Sequence, residues 1–238
     1  MRFRKAVLII HGFAGGTYDE EELVNYLKLN TNYDIYQFTL PGHRGRIRHV
    51  KYQDWVQESE KMINALISNG YKKIYLVGHS MGGVIATYLA GKYKQVKKLV
   101  LAAPAFHYLK IEGNNISITD SIKLAPKILK AYGVDDVLDR FMKAGLSAAK
   151  EFMGLVKEYY ETPNLVTCPT LIIQGKNDNV VPLSSSKYIY SNLGSKFKRL
   201  EYFDDVDHDV FRKKYKEKIF SLVKDFLKGN KEGGIYNE

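Results

Sequence analysis

The segment IYLVGHSMGG, residues 74–83, carries the strongest structural signal in this chain. A short apolar run leads into the pattern G-x-S-x-G from Gly78 to Gly82, which is typical of a serine on a sharp turn between a strand and a helix. Such a turn exposes the hydroxyl of Ser80, and the flanking glycines let neighbouring chain segments pass close to it. The pattern indicates a nucleophilic serine, although the same letters also occur in glycine-rich turns that carry no chemistry.

Strand-like and helical patterns alternate on both sides of this segment. Such alternation is typical of a parallel sheet with helices on both faces, so we predict an α/β fold. The predicted strands are residues 5–10, 33–39, 73–77, 97–103, 170–174 and 197–203. The predicted helices of this alternation are residues 19–29, 52–68, 81–93, 183–193 and 211–227. Two further helical patterns lie between the fourth and fifth strands, at residues 121–131 and 134–160.

The part of the chain between the fourth and fifth predicted strands has no strand-like runs, and we interpret it as an insertion. We expect residues 105–166 to form a helical cap, inserted in a core made of residues 1–104 and 167–238. The apolar faces of its helices must be buried somewhere, and ligands of open α/β sheets bind beyond the carboxyl ends of the strands. We therefore predict that the insertion covers Ser80 and forms an apolar pocket together with Phe13.

The net charge of the chain is strongly positive, with 36 Lys and Arg residues against 26 Asp and Glu residues, or +10. The largest basic cluster, residues 212–218, falls on the predicted last helix, where it suits a solvated face. Nucleic-acid binding would need a basic face within a recognisable module, which the sequence lacks, so we expect no nucleic-acid partner. Weak attraction of anionic substrates is the alternative role for this charge.

The composition is that of an ordinary globular protein, with 45% apolar and 26% charged residues. The N-terminal apolar run, Ala6–Ile10, is too short to span a bilayer, and no longer apolar run occurs elsewhere. We therefore expect a soluble cytoplasmic protein without a signal peptide and without stable membrane insertion. No pattern indicates an oligomeric state.

Metal and nucleotide motifs are missing from the sequence. It contains no H-E-x-x-H or C-x-x-C pattern, and the glycine-rich segment HGFAGG, residues 11–16, lacks the Lys-Ser/Thr ending of a phosphate-binding loop. The single cysteine, Cys168, precedes an apolar strand and is expected to be a buried thiol. We therefore expect neither a metal nor a cofactor.

The partners of a nucleophilic serine follow it in a fixed chain order in this topology, first an acid and then a histidine. His208 satisfies that order, and it lies in a polar loop between a predicted strand and the last predicted helix. Asp178 follows the strand 170–174 and is the expected acid, which would orient the imidazole and stabilise its protonated form. Asp205 and Asp207 are the rival acids, but they lie too close to His208 in sequence for the expected geometry.

Two backbone N–H groups are needed to stabilise the oxyanion that forms when a serine attacks a carbonyl group. The N–H of Met81, directly after the serine, is one candidate. The N–H of Phe13, in the loop after the first strand, is the other. His11 precedes the serine and is expected to be a structural hydrogen-bonding residue, and His79 is expected to point away from the nucleophile.

These segments together resemble the α/β-hydrolase superfamily, and most of all its small bacterial carboxylesterases and monoacylglycerol-lipase-like serine hydrolases. The matching pieces are VLIIHGFAGG (7–16), LPGHRG (40–45), Asp54-Trp55, YLVGHSMGG (75–83), CPTLIIQGKNDNVVP (168–182) and His208. The resemblance implies the α/β-hydrolase fold with a mostly parallel sheet. Many relatives have a hairpin before the first strand, whereas only about five residues precede it here, so we expect about six strands.

The resemblance also implies a chemistry. We expect a serine carboxylic-ester hydrolase that cleaves short to medium acyl esters or monoacylglycerols through an acyl-enzyme intermediate, with a small-molecule ester as its partner. An acyl thioesterase is the alternative within the same chemistry. A catalytically silent ligand-binding protein on the same fold is the alternative from another class, and fold alone does not decide between them.

Overall fold

The computed structural model describes residues 4–43, 50–107, 145–212 and 214–229. Within these ranges one sheet of six parallel strands crosses the molecule in the order β2-β1-β3-β4-β5-β6. The strands are β1 (Lys5–Ile10), β2 (Asp34–Gln37), β3 (Lys73–His79), β4 (Val96–Ala102), β5 (Thr170–Gly175) and β6 (Lys198–Phe203).

The helices that join these strands cover both faces of the sheet. They are α1 (Glu21–Asn30), α2 (Tyr52–Ser68), α3 (Met81–Lys92), α4 (Leu146–Tyr159), α5 (Leu183–Asn192) and α6 (Lys216–Lys228), with a 3-10 helix at Thr162–Leu165. No helix in the described ranges is both long enough and apolar enough to cross a lipid bilayer.

Two apolar cores lie on opposite faces of the sheet because successive strand residues point to opposite sides. On one face Leu8 and Leu76 pack with apolar residues of α2, α3, α4 and α5. On the other face Val7 and Val77 pack with apolar residues of α1 and α6. Burial on both faces explains why the central strands are continuous apolar runs, as parallel strands in α/β proteins are.

The predicted strands are all present, five of the six with shifted ends, and the predicted last helix is wrong at its start. Residues 211–227 were expected to be helical, but α6 begins at Lys216. Val210 and Phe211 are almost fully buried in the preceding loop, so their apolar character reflects packing of the loop rather than a helical face. Tyr215 has a φ of 70°, a left-handed conformation that ends the loop immediately before the helix.

The predicted insertion, residues 105–166, lies within the described residues only at its two ends. The predicted helix at residues 121–131 lies outside the described residues, and of the one predicted at 134–160 the structure describes α4. Phe152 and Leu155 of α4 are buried in the core shared with α2 and α3. Glu151 Oε2 accepts a hydrogen bond from the Tyr52 N–H at 3.1 Å, so α4 also caps the start of α2.

Candidate active site

Ser80 occupies a strained turn between β3 and α3. Its φ of 53° and ψ of −118° lie in a region that non-glycine residues rarely adopt. Three backbone hydrogen bonds hold the turn: Ser80 N–H donates to Ala102 O at 2.9 Å, and Ser80 O accepts from Gly83 N–H at 2.9 Å and from Ala105 N–H at 3.2 Å. The serine is thus fixed by the sheet below it and by the first turn of the helix that follows.

Glycines on either side of the serine allow this turn to pack. A Cβ atom at Gly78 would lie 2.5 Å from the carbonyl oxygen of Gly82, and one at Gly82 would overlap the carbonyl oxygens of Ile10 and His11. Any side chain at these positions would push α3 away from the ends of β1 and β3. The G-x-S-x-G spacing therefore follows from close backbone contact on both sides of Ser80.

The three residues expected to act together from the sequence are joined by hydrogen bonds. His208 Nε2 lies 3.0 Å from Ser80 Oγ, and His208 Nδ1 lies 2.9 Å from Asp178 Oδ2. Asp178 follows β5 and His208 lies in the loop after β6, so both come from the carboxyl ends of parallel strands, where side chains from distant segments meet. With the carboxylate accepting from Nδ1–H, the His208 Nε2 lone pair faces the Ser80 hydroxyl.

The carboxylate of Asp178 is completely buried and accepts four hydrogen bonds. Its Oδ1 accepts from the N–H groups of Val180 and Val181, at 2.9 and 2.8 Å. Its Oδ2 accepts from Gln174 Nε2 at 2.7 Å as well as from His208. These donors fix the plane of the carboxylate, and hydrogen bonds to an ionised group are among the strong ones.

Sequence reasoning missed Gln174. It is fully buried in β5, directly after the apolar run Leu171–Ile173, and its amide reaches both Asp178 and the carbonyl oxygen of Val181. A polar residue inside a buried strand requires a hydrogen-bonding partner. That requirement is the signal that could have identified Gln174.

The rival acids lie elsewhere in the same loop. Asp205 is 63% exposed in its side chain and pairs with Lys214 at 3.0 Å. Asp207 Oδ1 accepts a hydrogen bond from the N–H of Asp209 at 3.1 Å. The His208 ring instead bonds to Asp178, the residue predicted to be the acid, and its catalytic role stays a prediction.

The two residues expected to supply oxyanion donors lie directly after Ser80 and on the loop beside it. Met81 is the first residue of α3, where the N–H groups have no partner within the helix. A Cβ atom at Gly12 would lie 3.1 Å from Ser80 Cβ and 3.7 Å from Ser80 Oγ, so the loop that carries Phe13 runs directly beside the serine. The Phe13 ring stacks on Phe152 of α4 at 5.4 Å.

His11 and His43 contact the loop that carries Phe13. His11 Nδ1 donates to Gly12 O at 2.7 Å, and its Nε2 accepts from the Leu40 N–H at 3.0 Å. His43 packs edge-on against the rings of Phe13 and Trp55. Burial lowers the pKa of each imidazole to about 4, so both are neutral at physiological pH. The structural role predicted for His11 is confirmed by its two hydrogen bonds.

His79 points away from the serine, as expected, and makes contacts that the sequence did not predict. Its Nδ1 lies 3.0 Å from Glu20 Oε1, and its Nε2 lies 3.0 Å from the carbonyl oxygen of His208. Burial alone would lower the pKa of His79, but the hydrogen bond to Glu20 and the charge of Glu20 raise that pKa to about 9.

The described residues offer no arrangement for a metal ion. In these parts of the chain no three His, Cys, Asp or Glu side chains gather as potential ligands. Cys168 is mostly buried, and burial raises the pKa of its thiol to about 11. A thiol with so high a pKa is a poor source of the thiolate that nucleophilic or metal chemistry requires.

Two enzymes are similar to this protein in sequence along most of the chain. A carboxylesterase from Bacillus subtilis (strain 168) is 24% identical over 231 residues, which cover 94% of this chain and 92% of that enzyme. A thermostable monoacylglycerol lipase from Bacillus sp. (strain H-257) is 25% identical over 206 residues, which cover 82% of this chain and 78% of the lipase.

Solved structures agree on the fold. The crystal structure of the monoacylglycerol lipase of Paleococcus ferrophilus superposes with a TM-score of 0.70 and 17% identity, over 94% of this chain and 96% of the other. The fold is thus the α/β-hydrolase fold that the sequence predicts, and the protein is a lipase- or esterase-like hydrolase. The family model described as serine aminopeptidase, S33, matches residues 2–214, and the chain therefore belongs to that family.

Proposed function

We propose that this protein is a serine carboxylic-ester hydrolase that cleaves short to medium acyl esters or monoacylglycerols through an acyl-enzyme intermediate. The observation that carries the proposal is the chain of two hydrogen bonds from Ser80 Oγ through His208 to Asp178, at 3.0 and 2.9 Å. A serine hydroxyl is a weak nucleophile, and a base held in this geometry is the arrangement that activates it.

In the first half of the reaction, Ser80 Oγ attacks the ester carbonyl carbon while His208 Nε2 takes the hydroxyl proton. Asp178 keeps the Nδ1–H in place and stabilises the imidazolium that forms. The N–H groups of Met81 and Phe13 donate to the oxyanion of the tetrahedral intermediate. The bond to the alcohol oxygen then breaks, and the alcohol leaves with the proton from His208, so that the acyl group remains on Ser80.

In the second half, a water molecule takes the place of the alcohol. His208 Nε2 accepts a proton from the water as its oxygen attacks the acyl carbon, and the same two N–H groups hold the new oxyanion. The bond to Ser80 Oγ breaks, the serine recovers its proton from His208, and the carboxylic acid is released. Each proton taken by His208 is thus returned within the same half-reaction.

The acyl group of the substrate would bind against an apolar wall between the oxyanion loop and the cap. Phe13 carries one of the proposed oxyanion donors, and its ring stacks on Phe152 within the insertion, residues 105–166. This contact supports the proposal that the insertion caps the site, because it joins α4 to the loop beside Ser80. The named relatives, a carboxylesterase and a monoacylglycerol lipase, support an acyl ester as the substrate class.

A panel of substrates on the purified protein tests the proposal. We expect saturable hydrolysis of p-nitrophenyl acyl esters and of monoacylglycerols, and incorporation of one fluorophosphonate per chain, detected by intact mass and localised to Ser80 by peptide mapping. Ser80→Ala should remove both. An aminoacyl p-nitroanilide is the amide control, since the family description names an aminopeptidase.

Three outcomes would contradict the proposal. Acyl-coenzyme A turnover far above that of matched oxyesters would favour a thioesterase. Ligand binding without phosphonate labelling or turnover would favour a catalytically silent protein. Phosphonate labelling at a residue other than Ser80 would remove the nucleophile from the mechanism.

A further inference from the structure

A second chain of hydrogen bonds lies behind the proposed catalytic base. It runs from Glu20 Oε1 to His79 Nδ1 at 3.0 Å, and from His79 Nε2 to the backbone carbonyl oxygen of His208 at 3.0 Å. Glu20 immediately precedes α1, His79 ends β3 and His208 lies in the loop before α6. Three segments that are distant in sequence are therefore tied together at the residue whose ring contacts Ser80.

This chain is shielded from solvent. Glu20 is 1% exposed and His79 is 7% exposed. The His79 ring lies 5.3 Å from the His208 ring and 5.8 Å from the Phe211 ring. A buried carboxylate is costly unless it is paired and hydrogen-bonded, and the His79 ring supplies that partner for Glu20.

A neutral imidazole has only one N–H group and an ionised carboxylate has none. The two hydrogen bonds of His79 therefore require one additional proton, which His79 and Glu20 share. If His79 is protonated, both ring nitrogens donate, one to the carboxylate and one to the His208 carbonyl group. If the proton lies on Glu20, the carboxyl group donates to Nδ1 and the Nε2–H still donates to His208. Once that proton is lost, the single remaining N–H serves only one of the two acceptors, and the carboxylate competes for it.

We propose that His79 and Glu20 form a positioning pair that fixes the backbone of His208, so that its ring stays aligned between Asp178 and Ser80. The proposal rests on the function proposed above, because it gives the pair a role through the catalytic base. His79 contacts the backbone of that base and not the reacting atoms, which makes it a positioning residue rather than a catalytic one.

Other charged groups around the pair come from every neighbouring element. Asp19, beside Glu20, pairs with Arg212 at 3.1 Å, and Arg212 belongs to the His208 loop, so a second link joins the same two segments. Asp209, next to His208, raises the pKa of His79 further through its charge. His11 lies on the adjacent β1 loop and is neutral at physiological pH. The acidic neighbours favour retention of the proton on the pair.

The Glu20–His79 pair predicts that turnover falls at a specific alkaline pH. The pKa of His79 in the folded protein, about 9, lies above the ordinary imidazole value of 6.5. The stabilisation that it provides is complete below pH 6.5 and is lost as the pH rises through about 9. We therefore expect turnover to fall above pH 9 as the His208 loop loses its hydrogen bond, while KM changes little.

Four variants separate the effect of the hydrogen-bond chain Glu20–His79–His208, the bridge, from the effect of the charge that it carries. Glu20→Leu breaks the bridge at the Nδ1 end of the His79 ring and leaves that ring unanchored, and His79→Leu removes the contact with His208, whereas Glu20→Gln preserves both contacts, because the amide can donate to Nδ1 while Nε2–H still donates to His208. Glu21→Gln, an exposed neighbour, is the matched control. Circular dichroism and thermal unfolding would establish that each variant is folded, and Glu20→Leu serves if His79→Leu does not fold.

The readout is kcat and KM for an ester that the wild type hydrolyses, measured from pH 6 to 10. We expect the two leucine variants to lose roughly 10- to 100-fold in kcat with KM within about threefold, as small misplacements of a catalytic group do. We expect Glu20→Gln to recover most of kcat at pH 7.5 and to lack the fall near pH 9.

The outcomes distinguish failure of the pair from failure of the proposed function. Unchanged kcat in folded Glu20→Leu and His79→Leu, or a fall near pH 9 that persists in Glu20→Gln, would overturn the positioning role and leave the esterase proposal standing. A wild type that neither hydrolyses any ester nor reacts with a fluorophosphonate would overturn both.

Discussion

Gln174 Nε2 and His208 Nδ1 donate to the same oxygen of Asp178, at 2.7 and 2.9 Å. The other oxygen of that carboxylate is occupied by the N–H groups of Val180 and Val181. The carboxylate therefore has its orientation set by β5 and by the turn that follows it, independently of His208. A preset acceptor selects the tautomer of the imidazole in which Nδ1 carries the proton and Nε2 faces Ser80.

This relationship predicts that Gln174 helps to hold the His208 ring in place through Asp178. Gln174→Met keeps the approximate shape but removes one donor to Asp178, so the carboxylate has freedom to rotate. We expect kcat to fall by roughly 10- to 100-fold with KM nearly unchanged, because a net hydrogen bond to a charged group contributes about 1.5–3 kcal/mol. Gln37→Met is the matched control, since Gln37 also lies at or near the carboxyl end of a strand but belongs to β2, far across the sheet. Equal effects of the two substitutions would contradict this role.

Removal of the Ser80 hydroxyl tests the nucleophile. Ser80→Ala should keep the fold, since the turn is held by backbone hydrogen bonds that do not involve the side chain. Esterase turnover should fall on the order of 10⁴–10⁶-fold, as it does when a member of such a triad is removed. Retention of more than a few per cent of wild-type activity in a purified variant with unchanged melting temperature would show that another group attacks the ester.

Comparison of three aspartates tests the acid. Asp178→Asn should lower kcat on the order of 10³–10⁴-fold, because an amide at this position favours the wrong tautomer of His208. Asp205→Asn and Asp207→Asn should change kcat by less than about threefold, since these carboxylates bond to Lys214 and to the Asp209 N–H. Comparable losses at Asp178 and Asp205 in steady-state assays would contradict the assignment.

The parts of the fold that depend on local pattern could be predicted from the sequence. β1 and α2 begin and end as predicted, and the fold class is confirmed, because apolar strands and amphipathic helices leave clear periodicities. The start of α6 was predicted wrongly because the apolar Phe211 packs within the preceding loop and does not belong to a helical face. The order of strands in the sheet depends on contacts between segments and was not predicted.

The site was predictable to the extent that motifs and chain order define it. Ser80, Asp178 and His208 were selected in this way, and the structure joins them by hydrogen bonds, while their catalytic role stays a prediction. Gln174 and the Glu20–His79 pair were not selected. The two hydrogen bonds of His79 reach residues 59 and 129 positions away in the sequence, a separation that leaves no local pattern.

A glycine beside the serine turn should be essential for both stability and activity. A Cβ atom at Gly78 would lie 2.5 Å from the Gly82 carbonyl oxygen and 2.7 Å from Gly83 Cα, so Gly78→Ala must displace backbone at the start of α3. We expect a loss of about 1–3 kcal/mol in the free energy of unfolding and a large fall in kcat. Gly70→Ala, with a φ of 84° and open space around it, should cost about 1 kcal/mol of backbone strain and leave kcat unchanged. Urea unfolding and ester assays on both variants would check this, and normal turnover in Gly78→Ala would contradict it.

The contact between Phe13 and Phe152 predicts how acyl length is selected. The two rings stack at 5.4 Å, with the Trp55 ring 6.1 Å from the Phe13 ring, so an apolar wall joins the loop that carries Phe13 to α4. If acyl chains lie against this wall, each accommodated methylene should favour the transition state by up to about 0.8 kcal/mol until the pocket is full. The value of kcat/KM across p-nitrophenyl esters should then rise with chain length and fall sharply beyond an optimum.

Phe152→Ser should flatten the rise and move that optimum, because it replaces an apolar ring by a small polar group, while hydrolysis of the acetate ester should stay within about threefold of the wild type. Lys150→Ser, an exposed position on the same helix, is the control and should leave the profile unchanged. The measurement is kcat/KM for a series of linear acyl esters on all three proteins at one pH. A profile that Phe152→Ser leaves unaltered would remove α4 from the acyl-binding wall, because a lining ring cannot be deleted without a change in the free energy that each methylene contributes. A uniform loss at every chain length would instead assign Phe152 to support of the Phe13 loop, since a displaced oxyanion donor affects all esters alike.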